Sequence, residues 1–207
     1  MKRIFLFIAI LFAACTALRA QSESDLGLWS SIHVNKGWSD AYAFARVEHR
    51  SYEQMSATDC WFVLAGVGYK LTDWLKADLS CEHWELPSSG DASFHKAVAC
   101  VNGTLKSGAL AVSVREKYEL KLDSLTGTMR TRLRAQYGFS ACTPYVMYEF
   151  FNGFSGKGWV RSLHYFGTEI KVSKHSTVDL FYMYNLYPTG GATASCHVLG
   201  AGYVLSL

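Results

Sequence analysis

Segments of roughly ten residues recur along nearly the whole chain, each with small, aliphatic or aromatic side chains on one parity and charges on the other. From Met129 to Phe139, one parity reads Met129, Thr131, Leu133, Ala135, Tyr137, Phe139, and the other Arg130, Arg132, Arg134, Gln136, Gly138. A strand has period two, so the three arginines share one face of a sheet and the apolar set shares the other. Two architectures satisfy such a pattern. A soluble barrel encloses its apolar parity, whereas a membrane barrel turns it to lipid and keeps charges inside.

Alternation predicts eleven strand segments: 25–35, 38–50, 60–71, 74–86, 94–105, 109–121, 128–138, 144–152, 160–172, 176–187 and 194–206. Short turns at 35–37, 72–73, 106–108, 140–143 and 173–175 alternate with longer links at 51–59, 87–93, 122–127, 153–159 and 188–193. Short turns at one end and longer loops at the other is the membrane-barrel arrangement. Bacterial single-chain barrels have even strand counts. The expectation is therefore an all-β, up-and-down antiparallel transmembrane barrel within ten to twelve strands, ten or twelve by the even-count rule and twelve foremost.

The parity assignment puts Val63, Val67, Leu79, Cys81, Val112, Val114, Leu133, Leu180, Tyr203 and Leu205 outward. It puts Arg46, Glu48, Arg50, Lys76, Asp78, Glu82, Arg115, Lys117, Glu119, Arg130, Arg132, Arg134, Glu149, Glu169, Lys171 and Asp179 inward. An Arg or Lys facing lipid at mid-depth costs about 2–4 kcal/mol. A soluble barrel would have to enclose these charges or leave its aromatics wet. Glu116 breaks the rule, which calls for a bulge there or a place near the rim.

The N-terminus decides the compartment. Lys2 and Arg3 precede an apolar run from Ile4 to Ala14, and Arg19-Ala20-Gln21 supplies a cleavage site, so residues 1–20 read as a secretory signal and 21–207 as one barrel domain. The run is too short to span a bilayer as a helix. A lipoprotein reading with Cys15 acylated is weakened by Phe12 as the box's first letter. Without Lys2, Arg3 and Arg19, basic and acidic residues balance at 17 each, which excludes nucleic acid as a partner. Aromatics make up 14% of the chain, as interfacial girdles require. Cys60, Cys81, Cys100, Cys142 and Cys196 show no CxxC spacing and read as small apolar filler, with a Cys60–Cys196 disulfide as the alternative.

Several fragments in order resemble an uncharacterised family of outer-membrane barrels, domain of unknown function 2490. They are Asp25-Leu26-Gly27-Leu28-Trp29, Val47-Glu48-His49-Arg50, Gly66-Val67-Gly68-Tyr69-Lys70-Leu71, Arg130-Thr131-Arg132-Leu133-Arg134, Pro144 to Asn152, and His197 to Tyr203. The resemblance implies an outer-membrane location, with outer-membrane lipid and the barrel-assembly machinery as partners, and no activity. The chain departs from it in its cysteine content and in ending on Leu207, where barrels usually carry an aromatic residue.

The candidate chemistry is a charge ladder in the lumen formed by Arg130, Arg132, Arg134, Arg115, Lys117, Glu119, Glu149 and Glu48. Rings of Arg or Lys select anions, so a narrow pore is one reading. Pairing of the arginines with Glu48, Glu82, Glu119, Glu149 or Glu169 would instead fill the interior, since a barrel of this size is narrow. A structural or surface-exposed barrel is then expected. No cofactor, metal site or catalytic residue is expected, and the sequence names no solute. Two alternatives remain: a lipid-modifying hydrolase using His49 and Ser51, two apart on one strand face, and a soluble periplasmic barrel binding an apolar ligand.

Overall fold

A computed structural model describes residues 25–154, 158–189 and 192–207. The expected signal 1–20 lies outside the described residues. The chain forms β1 (Asp25–Trp38), β2 (Ala41–Tyr52), β3 (Ala57–Lys70) and β4 (Leu75–Leu86). A short 3-10 turn (Pro87–Ser89) leads to β5 (Ala92–Ser107), β6 (Leu110–Lys121), β7 (Thr126–Tyr137) and β8 (Cys142–Gly153). The wall is completed by β9 (Gly158–Lys171), β10 (Ser176–Thr189) and β11 (Ala192–Ser206). Each strand pairs with its neighbours in chain order, and the sheet closes into a barrel.

The count is eleven, not ten or twelve. The segment at 25–35 is a full strand, and an odd number sends the first and last strands in the same direction. Closure is therefore parallel, from Asp25↔Cys196 to Asn35↔Ser206, while the other ten pairings are antiparallel. Twelve residues reach about 40 Å along a strand. At the roughly 45° tilt of membrane strands this matches the ~30 Å hydrocarbon core.

The connections differ from the expected lengths. β1 runs through Gly37 to Trp38, and its turn falls at Ser39-Asp40, where Ser39 takes φ 55. Pairing of Ser51 with Thr58 and of Tyr52 with Ala57 extends β2 and β3 into the predicted link 51–59. Only 53–56 remains, and Glu53, Gln54 and Met55 all adopt positive φ. The Asp25 carboxylate accepts the amides of Glu53 and Gln54, each at 3.1 Å, and Met55 N donates to Leu26 O. These bonds hold a left-handed run that L-residues otherwise avoid. The links at the two ends are thus similar in length, and the asymmetry suggested by the sequence is absent.

Outward, Val67, Leu79 and Leu105 are 62–70% exposed, in a continuous apolar band with Val101, Val112, Leu133, Val146, Phe166 and Leu180. A monomeric soluble protein rarely carries so large an apolar surface. Glu116 sits in this band with neither bulge nor rim position: it pairs in register with Val101 and Thr131 and accepts the Thr131 hydroxyl at 2.9 Å. That bond lowers the cost of placing its carboxyl on the outer face.

The interior is divided. From β8 to β11 it is lined by Tyr145, Met147, Leu163, Tyr165, Met183 and Val198, all essentially enclosed. From β2 to β7 it carries charges interspersed with Phe62, Val98 and Cys100. Glycines make room for interior rings: a Cβ on Gly167 would fall 2.4 Å from Tyr145 Cζ, and one on Gly200 2.0 Å from Phe181 Cζ. The five cysteines among the described residues are free thiols, so Cys60 and Cys196 are not bridged.

Candidate functional site

Alternation aims one residue in two from each strand into the closed interior, where water is scarce and charges must find partners. At mid-height, Glu149 on β8 is fully enclosed. It accepts from Arg130 Nε at 2.9 Å, from a second Arg130 nitrogen, and from Arg132 Nε. Arg132 and Glu149 are direct cross-strand partners, which places both guanidinium groups on one carboxylate.

Neighbouring carboxylates are shared in the same way. Glu82 accepts Lys117 Nζ at 2.7 Å and Trp84 Nε1 at 2.8 Å. Glu119 takes Lys96 at 2.7 Å and Lys117 at 2.9 Å, with Arg130 at 3.7 Å. Glu48, also enclosed, lies between Arg46 and Arg50, the latter at 2.7 Å. Six bases therefore share four buried acids: the ion pairs of Glu82, Glu119 and Glu149 form one lattice linking β4, β5, β6, β7 and β8, and Glu48 with Arg46 and Arg50 forms a separate cluster on β2.

Two members of the sequence ladder stand outside both groups. Arg134 pairs with Glu169 on β9 at 2.7 Å, towards the Leu207 end, and its guanidinium lies 4.0 Å from the Tyr145 ring centre. The Tyr145 hydroxyl in turn donates to Asp179 at 2.9 Å. Arg115 Nε donates to Cys100 Sγ at 2.9 Å and has no carboxylate partner among the described residues. Arg130, Arg132, Lys117, Glu119 and Glu149 are thus brought together, Glu48 holds a flank, and Arg134 and Arg115 lie apart.

Above the lattice, towards the Asp25 end, a cavity of about 250 Å³ is floored by Leu163, Glu119 and Arg130. Its wall holds Trp29, Trp84 and Phe151 beside Arg50, Lys96 and Arg161. The Arg50 guanidinium lies 3.8 Å from the Trp29 ring centre, and Lys96 Nζ lies 4.6 Å from that of Trp84. Sequence reasoning missed this cavity. Arg161 shares parity with Leu163 and Tyr165, which would have placed it inside, and Trp29 and Phe151 fall on inward positions of strands read for their charges.

His49 and Ser51 do not form a catalytic pair. His49 Nε2 lies 3.1 Å from Thr58 Oγ1, while Ser51 accepts Leu28 N at 3.1 Å and donates back to Leu28 O at 3.4 Å. The bulge at Arg50/Ser51 carries the serine towards β1, so its hydroxyl serves the backbone. Among the described residues, no cluster of His, Cys, Asp and Glu has metal-holding geometry.

Two porins are among the solved structures that share this fold. The NanC porin, in a rhombohedral crystal form, superposes with a TM-score of 0.55 at 14% identity, covering 87% of this chain and 97% of that one. The KdgM porin gives 0.52 at 12% identity, covering 82% and 87%. At such identities the likeness concerns the fold, a porin-like barrel. No curated protein sequence matches. Residues 26–194 match the family described as protein of unknown function (DUF2490), and the chain belongs to that family.

Proposed function

We propose that this protein is an integral outer-membrane barrel, exported by residues 1–20 and folded as one domain from 21 to 207, whose interior is shut at rest. It serves as a structural or surface protein and not as an open pore or an enzyme, with outer-membrane lipid around it and the barrel-assembly machinery inserting it. The observation that carries this is the complete enclosure of Glu149 by Arg130 and Arg132, in the same interior as the enclosed Leu163, Met183 and Val198. A water-filled lumen would wet that carboxylate. The exposed band around Val67, Leu79 and Leu105 supports a lipid environment.

The porin names of the two structural relatives favour a second reading, a narrow pore whose surplus of cations draws anions. Planar-bilayer recording of the purified barrel separates the two. The closed reading expects no steady conductance for the wild type, and stable ohmic steps would establish the pore. Fractionation tests the location: recovery from the soluble periplasm without detergent would overturn the membrane assignment.

A further inference from the structure

The cavity at the Asp25 end has more binding chemistry than a packing defect needs. Its two acids are already engaged: Glu119 by Lys96 and Lys117, and Asp59, whose carboxylate and backbone carbonyl both receive the Ser88 hydroxyl. Arg50, Lys96 and Arg130 are each held by a buried carboxylate. Arg161 is not. Among the described residues its guanidinium has no hydrogen bond and no ion pair, and its nearest ring is Phe151, 6.0 Å away. A guanidinium presents five donors in a planar fork suited to carboxylate, and in an enclosed space it is costly to leave unpaired.

The rest of the lining specifies the body of the anion. Trp29, Trp84, Phe151 and Leu163 supply aromatic and aliphatic surface, and no Asn, Gln, Ser or Thr lines the cavity among the described residues. The charged groups of the lining other than Arg161 are already engaged, so a polyhydroxylated ligand would set most of its hydroxyls against rings and Leu163, whereas a flat apolar ring would suit that surface. About 250 Å³ corresponds to roughly eight waters at bulk volume, which is room for one ring and a carboxylate. The ion-pair lattice closes the floor, so a ligand admitted from the Asp25 end has no onward path.

We propose that this cup binds a small aromatic carboxylate, with Arg161 clamping the carboxylate and the ring lying against Trp29, Trp84 and Phe151. The proposal rests on the closed-interior reading only for the statement that the ligand is held and not passed through.

The test is a titration of the refolded barrel in detergent micelles with 4-fluorobenzoate, followed by fluorine NMR. Saturable binding is expected, weakened at least tenfold by Arg161→Met and partly restored by Arg161→Lys, which returns the charge without the fork. Neutral 4-fluorobenzyl alcohol should bind at least tenfold more weakly than the acid, and glucuronate should not displace it. Retention of the folded form's gel mobility shows that each variant still makes the barrel. Absence of saturable binding to the wild type, undiminished binding to Arg161→Met, or equal binding of the neutral alcohol would overturn the proposal. Displacement by glucuronate would overturn the apolar-body assignment. Bilayer recording of the same preparation separates the two claims: conduction with probe binding removes the closed reading and leaves the cup, while silence without binding removes the cup alone.

Discussion

Replacing Glu149 with Gln keeps the shape of the side chain and removes the charge that holds two guanidinium groups. In the folded barrel Glu149 is enclosed and receives both Arg130 nitrogens and Arg132 Nε. Glutamine offers one acceptor oxygen and turns an NH2 group towards donors. Each of the three charge-assisted bonds is worth about 1.5–3 kcal/mol net, but neighbouring groups relax, and breaking a buried pair by removing one partner costs about 3–5 kcal/mol. At 1.36 kcal/mol per tenfold, this is roughly two to three and a half powers of ten in the unfolding equilibrium. Urea unfolding in lipid vesicles, read by tryptophan fluorescence, measures it. The double variant Glu149→Gln/Arg132→Met should recover part of the loss, because it removes one stranded charge. Asp73→Asn, at the exposed Lys70–Asp73 pair, should leave the midpoint unchanged. A Glu149→Gln barrel with wild-type stability and wild-type ion selectivity would refute the reasoning.

Other outcomes follow from the same geometry. Single lysines at Val67, Leu79 or Leu133 should destabilise the inserted barrel by about 2–4 kcal/mol or block insertion, whereas Gln136→Lys on the inward parity should be tolerated; equal folding yields for all four would invert the face assignment. Gly167→Ala should lower stability by about 1–3 kcal/mol, because its methyl meets the Tyr145 ring that Asp179 and Arg134 hold in place, and a neutral result would mean the ring has room to move. If the Asp25 end faces the cell exterior, an impermeant thiol label on intact cells should reach a cysteine placed at Met55 and miss one at Gly108, and the reverse pattern would turn the barrel over.

The wall of the barrel was legible because period-two alternation is imposed by the strand itself: the outward positions from Val63 to Leu205 are the ones that face out, and the fragments that carried the resemblance to the family lie within the matched region except for His197 to Tyr203 and the first residue, Asp25. Four things were not legible. Parity gives direction but not closure, so the even-count rule suggested ten or twelve strands where the parallel β1–β11 seam allows eleven. Turn positions shifted because strands run on wherever the backbone finds partners, as Gly37 does opposite Tyr42. The apolar interior of β8 to β11 escaped a reading that sought one apolar face per strand, since Leu163, Tyr165 and Met183 lie on strands apolar on both faces. Parity also could not choose among acids. Glu48, Glu82, Glu119, Glu149 and Glu169 all stood as possible partners of the arginine ladder, whereas in the barrel Glu149 takes Arg130 and Arg132, Arg134 goes to Glu169, and Glu119 serves chiefly the two lysines. Such choices depend on side-chain reach across the barrel, which no single strand encodes.

Cys100 offers the most direct test of a closed interior, because its thiol is buried on the inward face of β5 beside Arg115 and needs no engineering. The barrel in lipid vesicles is exposed to a charged, water-soluble methanethiosulfonate, and the modified peptides are mapped by mass spectrometry. The closed barrel predicts an unmodified Cys100 until denaturant unfolds it. Rapid modification of Cys100 in the folded, inserted protein would contradict the account, because water and a charged reagent would then reach the enclosed interior.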